Sequence, residues 1–88
     1  MNRKLFPLQS RLIFTPEVLE RIPEQELLEA FARHDTGDWG LVTQKTYKQN
    51  KVSLRRGGIL VSEYKSRKGE HFRVTTSDDS RFTTFQIA

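Results

Sequence analysis

Residues 34–40 concentrate the side chains of this sequence whose types and spacing can do chemistry. The segment reads His-Asp-Thr-Gly-Asp-Trp-Gly and holds the only tryptophan, one of the two histidines and two of the five glycines. A histidine beside a carboxylate can move protons in general acid–base catalysis, so His34 and Asp38 form one candidate catalytic pair. Such a pair needs a nucleophile, for which Ser62 or a water molecule is a candidate. On this interpretation the chain is a small hydrolase-like enzyme.

The same segment contains nitrogen and oxygen ligands of the kind that divalent metal ions accept. A metal site here would use His34, Asp35 and Asp38, together with His71 from further along the chain. These residues do not form ligand pairs that repeat at one spacing. The chain has no cysteine, which excludes disulfides, thiolate metal sites and thiol catalysis. With no glycine-rich phosphate loop either, we predict neither a metal nor a cofactor.

A structural role explains residues 34–40 more fully than catalysis does. His34 falls in the last turn of a predicted helix, where it can meet the terminal carbonyls. Gly37 and Gly40 tolerate backbone conformations that other residues resist. Asp38 can accept backbone N–H bonds in the turn, and Trp39 can bury its ring while its N–H finds a carbonyl. We therefore predict a fixed corner without catalytic residues.

Two predicted helices precede this corner. Thr15 can cap the first helix, with Pro16 at its first position, and Pro23 interrupts it. The second helix runs from Pro23 to Arg33. Its apolar side, directed toward a core, consists of Leu27, Leu28 and Phe31.

A third helix is predicted from Thr43, which can cap it, to Arg56, where two glycines follow. Asn50 lies among its apolar positions. Because a buried asparagine must satisfy its amide, we expect Asn50 to hydrogen-bond the corner formed by residues 37–40.

From residue 59 onward the spacing becomes that of strands. Predicted strands cover residues 59–64, 70–76 and 81–87, and the short turns between them indicate an antiparallel meander. Residues 12–14 can add a fourth strand at an edge. Ser62 and Tyr64 share one strand face and can join the polar cluster of the corner.

The predicted fold is therefore a single α+β domain over residues 1–88. Its three N-terminal helices pack on one face of a three- or four-stranded antiparallel sheet. The paired carboxylates Asp78 and Asp79 fall in a turn, where neighbouring side chains point apart, so we assign them to turn chemistry.

Charge is unevenly distributed along the chain, whose net charge is +4. Residues 17–38 are mainly acidic, whereas residues 41–68 are mainly basic. A basic half can attract nucleic acid or an acidic protein surface. No motif for sequence-specific nucleic-acid recognition is present. A nucleic-acid site would use the cations Lys45, Lys48, Lys51, Arg55, Arg56, Arg67 and Lys68.

One set of residues spans nearly all of the chain: Thr15-Pro16, residues 34–40, Asn50, Ser62-Glu63-Tyr64, Gly69 and the Thr-rich acidic hairpin at residues 76–84. This pattern resembles a family of small uncharacterised proteins found on plasmids and other mobile elements. The central His-x-x-Gly-Asp-Trp-Gly motif is its specific element. The resemblance implies that residues 34–40 are the signature of the fold and that the protein serves a mobile element.

We predict a small non-catalytic binding or accessory protein that acts through a protein partner, with host defence as one setting that the resemblance implies. Nucleic-acid binding through the basic third helix is the first alternative, and the enzyme based on His34 and Asp38 is the second. Residues 1–7 lack the apolar stretch of a secretory signal, and no run approaches the roughly 18 residues that span a bilayer, so we expect a cytoplasmic location. The sequence leaves the oligomeric state open, because acidic and basic helices permit self-association.

Overall fold

A computed structural model describes residues 10–88 of the chain, so the segment at residues 1–7 lies outside the described residues. The predicted α+β class is confirmed. The elements of the described part, in chain order, are β1 (Arg11–Phe14), α1 (Pro16–Arg21), α2 (Glu24–Asp35), α3 (Gln44–Arg56), β2 (Leu60–Lys65), β3 (His71–Thr76) and β4 (Phe82–Ile87).

The four strands form one sheet in the order β1-β4-β3-β2. Strands β2, β3 and β4 form the predicted antiparallel meander. The fourth strand lies at an edge as expected, but it runs parallel to β4, so the prediction of a purely antiparallel sheet is wrong. The helical crossover from β1 to β2 returns the chain to the same end of the sheet. Two hairpins then reverse the direction twice, which leaves β4 parallel to β1.

The main core lies between one face of the sheet and the helices α1 and α2. Phe72, Val74 and Phe85 point from the sheet into this layer, and Phe14 stacks on Phe85 at 4.6 Å between ring centroids. The helices contribute Val18, Leu27 and Ala30, and Ile22, directly after α1, lies in the same layer. The predicted apolar stripe of α2 is therefore rotated. Leu27 is buried and Phe31 packs against the core, but Leu28 remains 49% exposed because Ala30 and His34 take the inward positions.

Helix α3 packs along the outer edge of β2, which departs from the prediction that all three helices cover a sheet face. Asn50 is 1% exposed, so its predicted burial is confirmed. Its predicted bond to the corner is wrong. The Asn50 amide donates to the carbonyl of Val61 at 2.8 Å and its oxygen accepts from the Val61 N–H at 3.0 Å. Asn50 thus takes the place of a neighbouring strand, because these backbone groups point outward from the sheet.

Replacing Asn50 with alanine should lower the free energy of unfolding by about 2 kcal/mol, because two partly buried backbone groups lose their partners. Urea unfolding followed by circular dichroism measures the change. Gln49→Ala, at the exposed neighbouring position, is the matched control and should cost less than about 0.5 kcal/mol. Equal, small losses at both positions would show that water replaces the amide of Asn50 without cost.

Candidate functional site

The corner at residues 37–40 begins where α2 ends. The N–H of Asp38 donates to the carbonyl of Arg33 at 2.9 Å, and the N–H of Gly37 donates to the carbonyl of His34 at 3.3 Å. Gly37 has a φ of 89°, which completes a Schellman ending of the helix. The structure thus confirms the predicted role of Gly37.

The ring of His34 is not directed at the terminal carbonyls of α2 as predicted, but lies wholly inside the protein. Nδ1 lies 2.5 Å from the Ser62 hydroxyl, and Nε2 lies 2.9 Å from the Thr76 hydroxyl. Thr76 in turn bonds Thr83 at 2.8 Å. Thr83 bonds Ser10 at 3.1 Å. A chain of polar side chains therefore connects α2 to β2, β3 and β4 within the core.

Burial lowers the pKa of His34 to about 4, so the imidazole is neutral in the folded protein near pH 7. A neutral ring has one donor and one acceptor, which the two hydroxyls of Ser62 and Thr76 can complement in either tautomer. Ser62 and His34 are both 0% exposed. A substrate therefore has no access to this Ser–His pair, and the arrangement works as an internal polar connection.

Asp38 lies at the surface in a separate cluster. Its carboxylate accepts from Nε and Nη2 of Arg33 at 2.8 and 3.2 Å, and from the N–H of Gly40 at 3.3 Å, which confirms its predicted turn contact. Arg33 also stands over the ring of Tyr64, 4.7 Å from its centroid. The hydrogen bond from Arg33 lowers the pKa of Asp38, and the same bond raises the pKa of Arg33.

Tyr64 connects this surface cluster to the core. Its hydroxyl donates to the backbone carbonyl of Asp38 at 2.6 Å, and burial raises its pKa to about 12. Ser62 and Tyr64 thus share one buried strand face, as predicted, and each contacts the end of α2 or the corner. The expectation that Ser62 and Tyr64 contact the polar groups of residues 34–40 is therefore confirmed.

The corner also extends the hydrogen bonding of β2. The Glu63 N–H donates to the carbonyl of Trp39 at 3.1 Å, and the Leu41 N–H donates to the carbonyl of Glu63 at 2.7 Å. Gly40 sits between them with a φ of 70°, where a Cβ atom would collide with the Glu63 carbonyl and lie 2.7 Å from the Tyr64 ring. The corner and Asn50 therefore both hydrogen-bond the outward-pointing backbone groups of β2 at this edge of the sheet.

Trp39 is buried, as predicted, and forms a second small core with Leu60 and the partly buried Val42. Its ring meets Tyr47 edge-on at 5.2 Å between centroids. The predicted bond from its N–H to a carbonyl is wrong, since Nε1 has no hydrogen-bond partner within residues 10–88. Trp39 thus fixes α3 through apolar packing.

The cations of α3 remain exposed along the outside of the molecule. We call them the α3 basic face, and none of them forms an ion pair within the part of the chain that the structure describes. Lys51 stands 5.5 Å from the centroid of the Tyr47 ring. The face consists of Lys45, Lys48, Lys51, Arg55 and Arg56. Arg67 belongs to another surface, because it pairs with Glu29 of α2 at 3.4 Å, and Lys68 lies beside it in the exposed turn between β2 and β3.

A groove of about 480 Å³ lies between α3 and β2, beside the basic face. Val52 and Ile59 at this groove are 44% and 55% exposed. Ile59 was predicted to begin a strand, and Val52 was given no role, although a valine between the cations of a basic helix is a detectable signal. We call this feature the α3 groove; its lining includes Lys48, Gln49, Val52, Ser53, Ile59 and Val61.

The paired carboxylates of Asp78 and Asp79 lie in the turn between β3 and β4. Asp79 accepts from the Ser77 hydroxyl at 2.7 Å and from the Arg81 N–H at 3.1 Å, which confirms its turn role and lowers its pKa. Within residues 10–88, no group of three or more His, Asp or Glu side chains is placed to hold a metal ion.

Comparisons of the chain with protein-family models, with characterised proteins and with solved structures gave no match. The resemblance to the mobile-element family therefore stays a prediction. Across residues 10–88, no helix has the length and apolar character needed to cross a bilayer.

Proposed function

We propose that this protein is a non-catalytic binding module that uses the α3 groove and the α3 basic face to hold an acidic, partly apolar protein segment. The observation that carries this proposal is the position of five cations, which form no ion pair with any residue from 10 to 88, beside an open apolar groove. Exposed cations favour an acidic partner electrostatically, whereas exposed Val52 and Ile59 favour an apolar side chain.

The buried side chains support a binding role over an enzymatic one. His34 and Ser62 are enclosed and hydrogen-bonded to each other, and the Asp38 carboxylate is bound by Arg33. These groups stabilise the corner and hold α3 at the sheet edge. From the resemblance we further propose that the module is an accessory protein of a mobile element, with a cytoplasmic host protein, including one of a defence system, as its partner.

Nucleic-acid binding is the second candidate function, and the α3 basic face is the observation that favours it. Five exposed cations along one helix can neutralise phosphates, and the half-exposed Tyr47 ring can stack on a base. This candidate makes no use of Val52 and Ile59. The two functions therefore share the cations of α3 but differ in whether they need Val52 and Ile59.

Val52→Asp should weaken capture of a protein partner by about tenfold or more, because it places a charge in the apolar groove. The measurement is affinity capture from nuclease-treated host lysate, with the bound protein quantified by mass spectrometry. Leu19→Asp, at an exposed apolar position of α1, is the matched control and should retain the partner.

The same variants separate the two candidate functions. A mobility-shift assay with generic DNA and RNA at low and moderate salt should show no salt-sensitive complex for the wild-type chain. A salt-sensitive complex that Lys48→Gln weakens and Leu19→Asp retains would favour nucleic acid instead. A captured protein that Val52→Asp and Leu19→Asp retain equally would contradict binding in the α3 groove.

A further inference from the structure

The outer side of α2 carries the features that the α3 groove is suited to bind. Leu28 projects from it at 49% exposure, within a shallow depression of the surface. Glu24 has no ion pair within residues 10–88, and Glu29 shares its carboxylate with Arg67 at 3.4 Å. We call this surface the α2 acidic face; it consists of Glu24, Gln25, Leu28, Glu29 and Ala32.

The two surfaces match in spacing as well as in charge. Glu24 and Leu28 stand one helical turn apart on α2, and Lys48 and Val52 stand one turn apart on α3. Four residues correspond to about 6 Å along a helix, so in a parallel arrangement of the two helices a contact between Glu24 and Lys48 brings Leu28 to Val52. Ala32, one further turn along, is small enough to let the two helices approach closely.

Within residues 10–88 the cations of the α3 basic face and the carboxylate of Glu24 form no ion pair, whereas Glu29 pairs with Arg67. The acidic and basic halves of the sequence could have paired internally, yet no ion pair joins α2 to α3 within the described residues. The linings of the depression on α2 and of the α3 groove share no residue. One molecule can therefore offer both surfaces at the same time.

We propose that the chain self-associates head to tail, with the α2 acidic face of one copy seated in the α3 groove of the next. This inference rests on the proposed function, because it names an occupant of the same groove. Two different surfaces in contact form a heterologous interface, which extends into a chain of molecules unless the rotation closes a ring. The ion pairs lie at the surface, so added salt weakens the association.

Sedimentation velocity over a range of protein concentrations tests this proposal. The wild-type chain should form dimers and larger species at low salt. Lys48→Glu and Glu24→Lys should each weaken the association by about tenfold, since each places like charges opposite one another. The charge-matched controls are Lys68→Glu and Asp78→Lys, which lie in exposed turns outside both surfaces and should leave the association unchanged.

Mixing the two variants identifies the interface. Lys48→Glu retains an intact α2 acidic face and Glu24→Lys retains an intact α3 groove. In an equimolar mixture every contact between unlike copies joins opposite charges, the native pair in one direction and the exchanged pair in the other, so the mixture should regain the association that each variant loses alone. A chain carrying both changes should regain self-association, because the charges are exchanged. A mixture that remains monomeric, or a wild-type chain that is monomeric at every concentration, would overturn the proposal.

These outcomes are distinguishable from failure of the proposed function. A monomeric wild-type chain whose captured partner is lost in Val52→Asp would retain the groove as a binding site and reject only the second copy as its occupant. Self-association that survives Lys48→Glu, Val52→Asp and Glu24→Lys alike would place the contact elsewhere on the molecule and overturn this assignment.

Discussion

Replacing Gly40 with alanine should destabilise the fold by about 4 kcal/mol, the largest effect expected from a single methyl group in this chain. Two costs combine at this position. The backbone has a φ of 70°, which side chains rarely adopt, and a Cβ would collide with the Glu63 carbonyl and press on the Tyr64 ring. The corner cannot move away from β2 to relieve this contact, because it would lose the backbone hydrogen bonds that Glu63 forms with Trp39 and Leu41.

Urea unfolding followed by the fluorescence of Trp39, the only tryptophan, measures this loss at the corner itself. Gly69→Ala is the matched control. Gly69 has a φ of 94°, but a Cβ there meets only the Lys65 side chain at 3.8 Å. Gly69→Ala should therefore cost about 1–2 kcal/mol of unfolding free energy, from backbone strain alone. Equal losses at the two glycines would show that the close approach of the corner to β2 contributes nothing.

Acidification from about pH 7 to about pH 4 should remove about 3 kcal/mol of stability through His34. The folded chain holds the His34 proton less tightly than the unfolded chain does, because burial lowers the pKa of the ring from 6.5 to about 4. Between these values the unfolded state binds more protons. Stability therefore rises with pH across this window and is lost as the pH falls through it.

Comparison with His34→Gln isolates this contribution. Glutamine offers a donor and an acceptor to Ser62 and Thr76 but does not titrate, so urea unfolding of the variant should lose less stability over the same pH range. The carboxylate of Asp38, whose pKa Arg33 lowers, also loses stabilising contacts in acid, but it does so in both proteins. Identical pH dependence in the two proteins would contradict the buried neutral histidine.

Much of the secondary structure could be predicted because its signals are local. Thr15 and Thr43 cap their helices through side-chain bonds to the N–H groups of Val18 and Thr46, within one turn of the chain. Gly37 ends α2 through the backbone conformation of a single residue. Strand propensity and short turns indicated the meander of β2, β3 and β4.

The proposed binding surface was only partly predictable. The exposed cations of α3 follow from helical spacing, so their common face was evident in the sequence. The α3 groove was not, because it exists only where Ile59 and Val61 of one segment meet Val52 of another. The parallel pairing of β1 with β4 could not be predicted for the same reason, because it depends on the whole crossover between β1 and β2.

Local patterns in the sequence were enough to predict the helices and strands to within about two residues at each end, the burial of Trp39 and Asn50, and the segregation of acidic and basic charge. The partners of the polar side chains in the core became evident only from the folded chain. His34 bonds Ser62 and Thr76, which lie 28 and 42 residues further along the chain. Asn50 bonds the backbone of β2, and the Trp39 N–H bonds no group within residues 10–88. The physical reason is that capping and spacing act within a few residues, whereas a hydrogen bond in the core forms with whichever group the packed sheet brings within about 3 Å.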